Sequence, residues 1–281
     1  MKENDVYIIS PSELSYICYH CSYLKQNFEL YNSSISAGIT STLDGIEKKH
    51  FLGDPKKVSQ ELSDGEVIDP YNIVFHSKIL KDNEGRKFRL KGKCDALIKF
   101  SDGSSGVIDF KTSKFKQAEG DKKSKFTKED LQTKINEYDP QLHAYSLLYS
   151  NLETDINYLA QKSTAKTPET KITSANIKLE KVKKVSIEEA KILGIVFIYP
   201  EEVIESNRLG VYFSHQYEPV KVNMKKFRDL ITKFISNLCK ENPPPIPDSC
   251  GLPGYGKKCL SHKFFYDEAK LKKLNNLTNL K

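Results

Sequence analysis

The stretch that decides the fold of this chain reads Phe88-Arg-Leu-Lys-Gly-Lys-Cys-Asp-Ala-Leu-Ile-Lys-Phe100, and a second stretch reads Gly106-Val-Ile-Asp-Phe-Lys-Thr112. In both, apolar or small residues alternate with polar, mostly charged ones, which is the pattern of a β-strand with one apolar face. The residues between them, Ser101-Asp-Gly-Ser-Ser-Gly106, are rich in turn formers. The sequence therefore predicts two antiparallel strands joined as a hairpin.

The predicted hairpin carries three residues with catalytic chemistry on its polar face. Asp95 lies on the first strand, and Asp109 and Lys111 lie on the second. Closing the hairpin places them about one strand spacing (~5 Å) apart, on the side that faces away from the core. Two carboxylates and an ammonium group can hold a divalent metal ion and activate water. A solvated hairpin face with ordinary surface charges produces the same alternation, so the hairpin alone leaves both interpretations open.

The remaining elements are predicted from apolar spacing and from capping residues. Helices are expected to begin at Ser10, near Ile39 and at Asp139, and an amphipathic helix is expected over residues 223–239. Strands are expected over Tyr71–Lys81, Leu193–Tyr199 and Val211–Tyr217, with a loop over residues 161–190. The 281 residues are then one α/β domain, with a central mixed sheet flanked by helices. Its core covers about 10–240 and ends in a helix, and a tail rich in Cys, Gly and Pro covers 241–281.

The balance of charge favours an anionic partner. The formal net charge is +7, and lysines gather directly on and after the second hairpin strand, at Lys111, Lys114, Lys116, Lys122, Lys123, Lys125 and Lys128. A basic segment beside a carboxylate pair suggests a phosphate backbone as ligand. A polar surface loop has the same composition, and the segment from Lys122 to Lys128 fits either reading.

The chain shows no amino-terminal apolar run of the signal-peptide type, and no stretch approaches the ~20 apolar residues that span a bilayer. We therefore expect a cytoplasmic protein without a membrane partner. In a reducing cytosol its six cysteines would favour metal ligation over disulfides. Cys18 and Cys21 lie one helical turn apart, and Cys250 and Cys259 lie in the tail, so four thiolates could hold zinc or an iron–sulfur cluster. Free thiols on an apolar helix face are the alternative, whereas Cys94 and Cys239 are predicted to be core residues.

The order of these motifs resembles the PD-(D/E)XK nuclease superfamily, and in particular its RecB-like branch, which includes the iron–sulfur nucleases of CRISPR adaptation. The resemblance covers roughly residues 10–150. It is carried by Ser10-Pro-Ser-Glu-Leu14 followed by Cys18, by Gly92-Lys-Cys-Asp95, by Ile108-Asp-Phe-Lys-Thr112 and by Gln141-Leu-His-Ala-Tyr145. It implies a restriction-endonuclease-like core and a Mg²⁺- or Mn²⁺-dependent DNA nuclease.

The resemblance also implies roles for particular residues. Catalysis would rest on Asp95, Asp109, Lys111, Gln141 and Tyr145. Asp95, Asp109 and the carbonyl oxygen of Phe110 would bind the nuclease metal, and Lys111 would lower the pKa of its bound water and stabilise charge on the phosphate. From the residues alone, the alternative is that Tyr145 is a core residue beside Leu142 and Leu148, with Gln141 capping backbone groups.

The sequence departs from the family pattern in two places. The branch carries a histidine in the helix before the hairpin, where this chain has Asp44, with Glu47 one turn later, as the remaining metal ligands. The iron–sulfur nucleases have three closely spaced tail cysteines, where this chain has two. Two other functions therefore stay open: a nucleic-acid-binding or scaffold module that keeps the fold without cleavage, and a purely structural zinc protein.

Overall fold

The computed structural model describes residues 2–3, 5–15, 18–28, 45–46, 48–71, 73–112, 116–117, 123–124, 128–204 and 210–245. Its helices are α1 (Tyr19–Phe28), α2 (Lys128–Ser150), α3 (Ile156–Gln161), α4 (Pro168–Val185) and α5 (Met224–Leu238), with 3₁₀ turns at Pro11–Glu13 and Pro55–Lys57. Its strands are β1 (Lys2–Glu3), β2 (Val6–Ile9), β3 (Gly65–Ile68), β4 (Phe75–His76), β5 (Leu80–Lys81), β6 (Lys87–Gly92), β7 (Ala96–Phe100), β8 (Ser105–Thr112), β9 (Lys116–Gln117), β10 (Lys123–Ser124), β11 (Ile192–Ile204) and β12 (Gly210–Val220).

The protein is a mixed α/β structure built on a central sheet with the strand order β12-β11-β8-β7-β3. Strands β7 and β8 form the predicted hairpin, with Ala96 opposite Ile108 and Leu97 opposite Val107. Strand β11 pairs in parallel with β8, so the chain must cross over between them, and α2, α3 and α4 lie in that crossover. Strand β8 therefore has a partner on each side.

Both faces of the central sheet are covered. On one face, Leu97, Val107 and Phe197 belong to a large core that α2 completes with Leu142 and Leu148. The other face packs Ile98, Ile108, Phe110 and Val196 against a smaller cluster from Phe51, Val58 and Leu62. Residues from Ser105 to Phe110 are all buried, as expected for a central strand with no solvated face.

A second, smaller sheet has the order β1-β2-β6-β4, with β5 also paired to β6. Its strand β6 comes directly before the hairpin in the chain, and β2 runs parallel to it. Helix α1 packs with α5 across the large core. The side chains of α1 also hold the segment that follows α5: Tyr23 donates to the carbonyl oxygen of Glu241 (2.9 Å) and Asn27 donates to that of Leu238 (3.1 Å).

The stretch Phe88–Phe100 is not one strand, as the alternation predicted, but two strands in two sheets. The chain leaves β6 at Gly92 and enters β7 at Ala96. Gly92 has no room for a side chain, because a Cβ there would lie 2.8 Å from Pro11 Cδ and 3.2 Å from Tyr145 Cε1. The close approach of these groups ends one sheet and begins the next. The predicted strand Tyr71–Lys81 is likewise reduced to β4 and β5.

Two predicted helix starts and one predicted loop were wrong. Ser10 makes no side-chain cap and is followed only by a 3₁₀ turn, since Glu13 pairs with Lys25 of α1 instead of closing a capping box. Asp139 does not begin a helix, because Pro140 lies inside α2. The expected loop over 161–190 contains α4, which begins with a capping box at Thr167 and buries only Ala175, Val182 and Val185. With so few apolar residues, the sequence of this segment shows no clear helical spacing of apolar side chains.

The other predicted elements are present. Strands β11 and β12 contain Leu193–Tyr199 and Val211–Tyr217, and α5 buries the predicted stripe from Phe227 to Leu238. The helix expected near Ile39 falls largely outside the described residues, although residues 48–51 are helical. No helix within the described ranges is both long enough and apolar enough to cross a membrane.

Candidate functional site

The β7–β8 pairing brings Asp95 and Asp109 together, as predicted. Asp95 lies one residue before β7, and its Oδ2 accepts a hydrogen bond from the backbone N–H of Phe110 at 2.9 Å. Its other oxygen, Oδ1, lies 2.9 Å from Lys48 Nζ. Both oxygens of Asp95 are therefore held in place, one by the neighbouring strand and one by the helical turn at 48–51.

Asp109 is buried, contrary to the prediction that it faces away from the core. It is 2 % exposed, because β8 is a central strand and α2 covers the face to which Val107, Asp109 and Lys111 belong. Gln141 of α2 donates to Asp109 Oδ1 at 3.4 Å. Asp109 Oδ2 lies 2.5 Å from Lys111 Nζ, yet it accepts no well-directed hydrogen bond among the described residues. The contact is an ion pair with poor hydrogen-bond direction.

The two carboxylates, which we call the carboxylate pair, differ in acidity. Burial raises the pKa of Asp109, Lys111 opposes this increase and Asp95 adds to it, and the net value is about 7. Burial also acts to raise the pKa of Asp95, but Lys48, a hydrogen bond with Asp109 and Lys111 together lower it. Near neutral pH the pair therefore carries Asp95 as the carboxylate, while Asp109 is partly protonated.

Lys111 is held between the carboxylate pair and an aromatic ring. Burial acts to lower the pKa of its ammonium group, but Asp109, Asp95 and Tyr138 together outweigh burial, and the net effect is a raised pKa. The ammonium nitrogen also lies 4.6 Å from the centroid of the Tyr138 ring, a cation–π contact. Lys111 is therefore a fixed positive charge beside the two carboxylates.

Gln141 and Tyr145 both reach the site from α2. Ser15 Oγ donates to Gln141 Oε1 at 3.1 Å, which fixes the orientation of the amide and directs its NH₂ group to Asp109. Tyr145 is 6 % exposed, and its hydroxyl lies 3.5 Å from Gln141 Nε2. Burial raises the pKa of Tyr145. Its position favours the core reading of this residue over direct contact with a ligand.

Of the other predicted ligands of the nuclease metal, the structure describes only Phe110. Asp44 and Glu47 lie outside the described residues, and the part of the chain that is described holds no group of three or more His, Cys, Asp or Glu side chains suited to a metal. Phe110 stays a backbone candidate, because its N–H meets Asp95 while its ring stacks on Phe51 at 5.1 Å. Sequence reasoning missed Lys48 and Ser15. Lys48 follows Glu47 directly, but nothing in the sequence indicated that its ammonium group would reach Asp95.

The cysteine prediction is also only partly placed. Cys18 is half-buried and Cys21 is buried, and a hydrogen bond from Cys21 is the main cause that lowers the pKa of Cys18 to about 6. His20, between the two cysteines, is buried, and its Nδ1 lies 2.7 Å from the carbonyl oxygen of Pro244. Cys250 and Cys259 lie outside the described residues. Cys94 is in the core as predicted, but Cys239 is exposed at the end of α5, where its Sγ contacts Tyr7.

Comparisons with known proteins do not assign the chain to a family. No family model matches it, and no curated protein matches it. Among solved structures, the chain is similar to that of the protein SSO0001, at 15% sequence identity over 86% of this chain and 80% of that one, with a TM-score of 0.42. A similarity at this level supports no statement about function.

Proposed function

We propose that this protein is a Mg²⁺- or Mn²⁺-dependent deoxyribonuclease whose centre is Asp95, Asp109 and Lys111. The observation that carries the proposal is the convergence of these three side chains. Two adjacent strands bring two carboxylates together, a lysine lies directly against one of them, and the sheet holds all three on a rigid frame. The cytoplasm as compartment and DNA as partner belong to this proposal.

The donor set fits a hard divalent cation. Asp95 and Asp109 offer oxygen ligands, and Asp109 Oδ2 is a buried oxygen that accepts no well-directed hydrogen bond in the described chain. Mg²⁺ commonly takes one or two carboxylates and keeps several waters, so this pair is enough. When bound, the ion would supply Lewis acidity toward a phosphate and a more acidic water.

The protein's own side chains provide the remaining chemistry. Lys111 places a positive charge where the phosphate gains charge during hydrolysis, and its fixed position requires no rearrangement. The Ser15–Gln141 hydrogen bond keeps the carboxylate of Asp109 in one orientation. Asp109 can also accept or release a proton near neutral pH, because burial brings its pKa to about 7.

One observation favours a second candidate, a nucleic-acid-binding module without cleavage. Lys48 Nζ lies 2.9 Å from Asp95 Oδ1 and so neutralises the carboxylate that a metal ion would need. If this ion pair persists in solution, the site holds charge balance without any metal. The two candidates then differ in one measurable property, the affinity for Mn²⁺.

The test is cleavage of labelled single- and double-stranded DNA by the purified full chain with Mg²⁺, Mn²⁺ or EDTA. Cleavage should require the metal and should fall by about 100-fold or more in Asp109→Asn and in Lys111→Met, because each removes a charge at the reacting phosphate. Asp102→Asn and Lys183→Met are matched controls. Both residues lie on the surface, Asp102 in the hairpin turn and Lys183 on α4.

The outcomes separate the candidates. Cleavage that persists unchanged in Asp109→Asn would show that the site is assigned wrongly. DNA binding without cleavage, together with no Mn²⁺ binding in calorimetry, would support the module instead. Asparagine has nearly the shape of aspartate, so melting temperatures close to the native value would confirm that lost activity is not lost folding.

A further inference from the structure

A second polar region lies on β4, β6 and the two helices that follow α2. His76 of β4 is the cross-strand partner of Lys91 of β6, so their side chains lie on the same face of the smaller sheet. Arg89 comes two residues before Lys91 and shares that face. The strand register alone therefore places three basic side chains on one face of the smaller sheet.

The nearby acidic residue, Glu153, forms an ion pair with Arg89. Glu153 Oε2 lies 2.5 Å from Arg89 Nη1, and Glu153 Oε1 accepts the backbone N–H groups of Thr154 and Asp155, both at 2.9 Å. Asp155 in turn caps α3. The ion pair with Glu153 thereby neutralises Arg89.

Tyr158 of α3 contacts His76, Arg89 and Lys162. Its hydroxyl lies 3.0 Å from His76 Nδ1, and Arg89 lies 3.9 Å from its ring centroid. Lys162, one turn further along, lies 5.6 Å from the same centroid. A Tyr158 hydroxyl that donates to Nδ1 leaves the proton of the imidazole on Nε2, which then serves as a donor.

Lys178 of α4 completes the group, and we call Lys91, Lys162 and Lys178 the lysine cluster. Lys178 is half-buried, and no carboxylate of the described residues lies within ion-pair distance of it. Burial and, second to it, the charge of Lys91 together lower its pKa to about 8. Burial also lowers the pKa of His76 to about 3, helped by Lys178, Lys91, Lys162 and Arg89. The positive charges of Lys91 and Lys178 thus repel each other, an arrangement that an anion would stabilise.

We propose that Lys91, Lys162, Lys178 and His76 form a binding site for a phosphate group of a nucleic acid strand. Ammonium groups bind phosphate as mobile point charges, and the neutral imidazole adds one directed donor. Lys91 lies four residues before Asp95, so their Cα atoms are at most about 14 Å apart. A duplex advances by about 3.4 Å per nucleotide, so this Cα separation corresponds to about four nucleotides at most.

This inference goes beyond the proposed function, because the lysine cluster can bind phosphate whether or not the carboxylate pair cleaves DNA. The phosphate can be an internal diester of a strand or a monoester at its end. The two sources have the same recognition chemistry but differ in charge, so they can be distinguished with short oligonucleotides.

The first experiment uses inorganic phosphate on the full chain, with sodium chloride at matched ionic strength as reference. Phosphate should raise the melting temperature and slow the reaction of Lys178 with an amine-directed reagent near pH 8, followed by peptide mass spectrometry. In Lys178→Met the affinity for phosphate should fall by about tenfold, as expected for loss of one charged contact. Lys183→Met on the same helix should behave as the native chain, since Lys183 is exposed and pairs with Glu180.

The second experiment uses 5′-phosphorylated and 5′-hydroxyl oligonucleotides on the Asp109→Asn chain, which keeps the lysine cluster. Tighter binding of the phosphorylated strand, lost in Lys178→Met, assigns the site to a terminal phosphate. Equal binding of both, weakened equally in Lys178→Met, assigns it to the backbone. Methionine removes a half-buried charge and should not impair folding. If Lys178 labelling and melting respond to phosphate no more than to chloride, the proposal is wrong, whatever the cleavage assay shows.

Discussion

The carboxylate pair and the lysine cluster are adjacent in the chain at Asp95 and Lys91, yet they carry groups of opposite charge. Asp95 and Asp109 are two acidic residues at one end of the β7–β8 hairpin. Lys91, Lys162 and Lys178 are three basic residues contributed by β6, the end of α3 and α4. In each, burial shifts one pKa toward neutrality: upward to about 7 for Asp109 and downward to about 8 for Lys178. The shifted group therefore favours a bound cation in one region and a bound anion in the other.

Ligand binding should therefore be coupled to proton exchange of opposite sign in the two regions. A cation bound at the carboxylate pair displaces a proton from Asp109, whereas an anion bound at the lysine cluster draws a proton onto Lys178. A nucleic acid strand with its metal ion would meet both requirements at once.

The largest effect is expected from the acidity of Asp109. Its folded pKa of about 7 is above the ordinary value of 3.8, so the native state keeps a proton that the unfolded state has lost. The free energy of unfolding should therefore fall as the pH rises from about 4 to about 7, by at most about 1.4 kcal/mol per pH unit. Urea unfolding at several pH values measures the slope, which should flatten in Asp109→Asn and persist in Asp102→Asn. The same slope in all three proteins would mean that Asp109 titrates normally.

A smaller effect is expected at Gly92, which lies on β6 next to Lys91 and three residues before Asp95. In Gly92→Ala the new methyl group meets Pro11 and Tyr145, and such overpacking costs about 1–3 kcal/mol. Thermal unfolding measures the loss. The matched variant is Gly45→Ala, because a Cβ at Gly45 meets nothing within 4 Å. Equal melting temperatures for the two variants would contradict the close packing that separates the two regions.

The smallest effect concerns the ion pair of Lys48 and Asp95. Removing its ammonium group in Lys48→Met should raise the affinity for Mn²⁺ by about tenfold, or about 1.4 kcal/mol, because a competing positive charge is lost 2.9 Å from Asp95. Calorimetry on the native chain and on Lys49→Met, a change at the exposed neighbour, provides the comparison. A weaker affinity in Lys48→Met would show that Lys48 supports the site rather than competing for it.

The meeting of Asp95 and Asp109 could be predicted from sequence, because it depends only on alternation and on a short turn. The register confirms that logic, with Ala96 opposite Ile108 and Asp95 one position further along. The burial of Asp109 could not be predicted in this way. It depends on β11 joining β8 in parallel and on α2 covering the face, and both contacts come from residues distant in sequence.

Local signals failed where tertiary contacts decided the outcome. Asp139-Pro140 is typical of a helix start, but Leu131, Ile135 and Tyr138 pack against the core and extend α2 by several turns before it. Glu13 is typical of a capping box after Ser10, but it pairs with Lys25. Lys178 gave no signal at all, since a lysine on an amphipathic helix normally projects into solvent.

The hydrogen bonds between α1 and the segment after α5 also have a consequence during synthesis. Asn27 bonds to the carbonyl oxygen of Leu238, a separation of 211 residues, and Tyr23 bonds to that of Glu241, a separation of 218. When the ribosome has made the first helix, nearly all the rest of the chain must emerge before its partner exists. Until then Cys21, Tyr23 and Leu24 lack their buried surroundings. The nascent chain therefore carries an uncovered apolar helix for most of its translation, and a chain that stops before residue 238 never covers it.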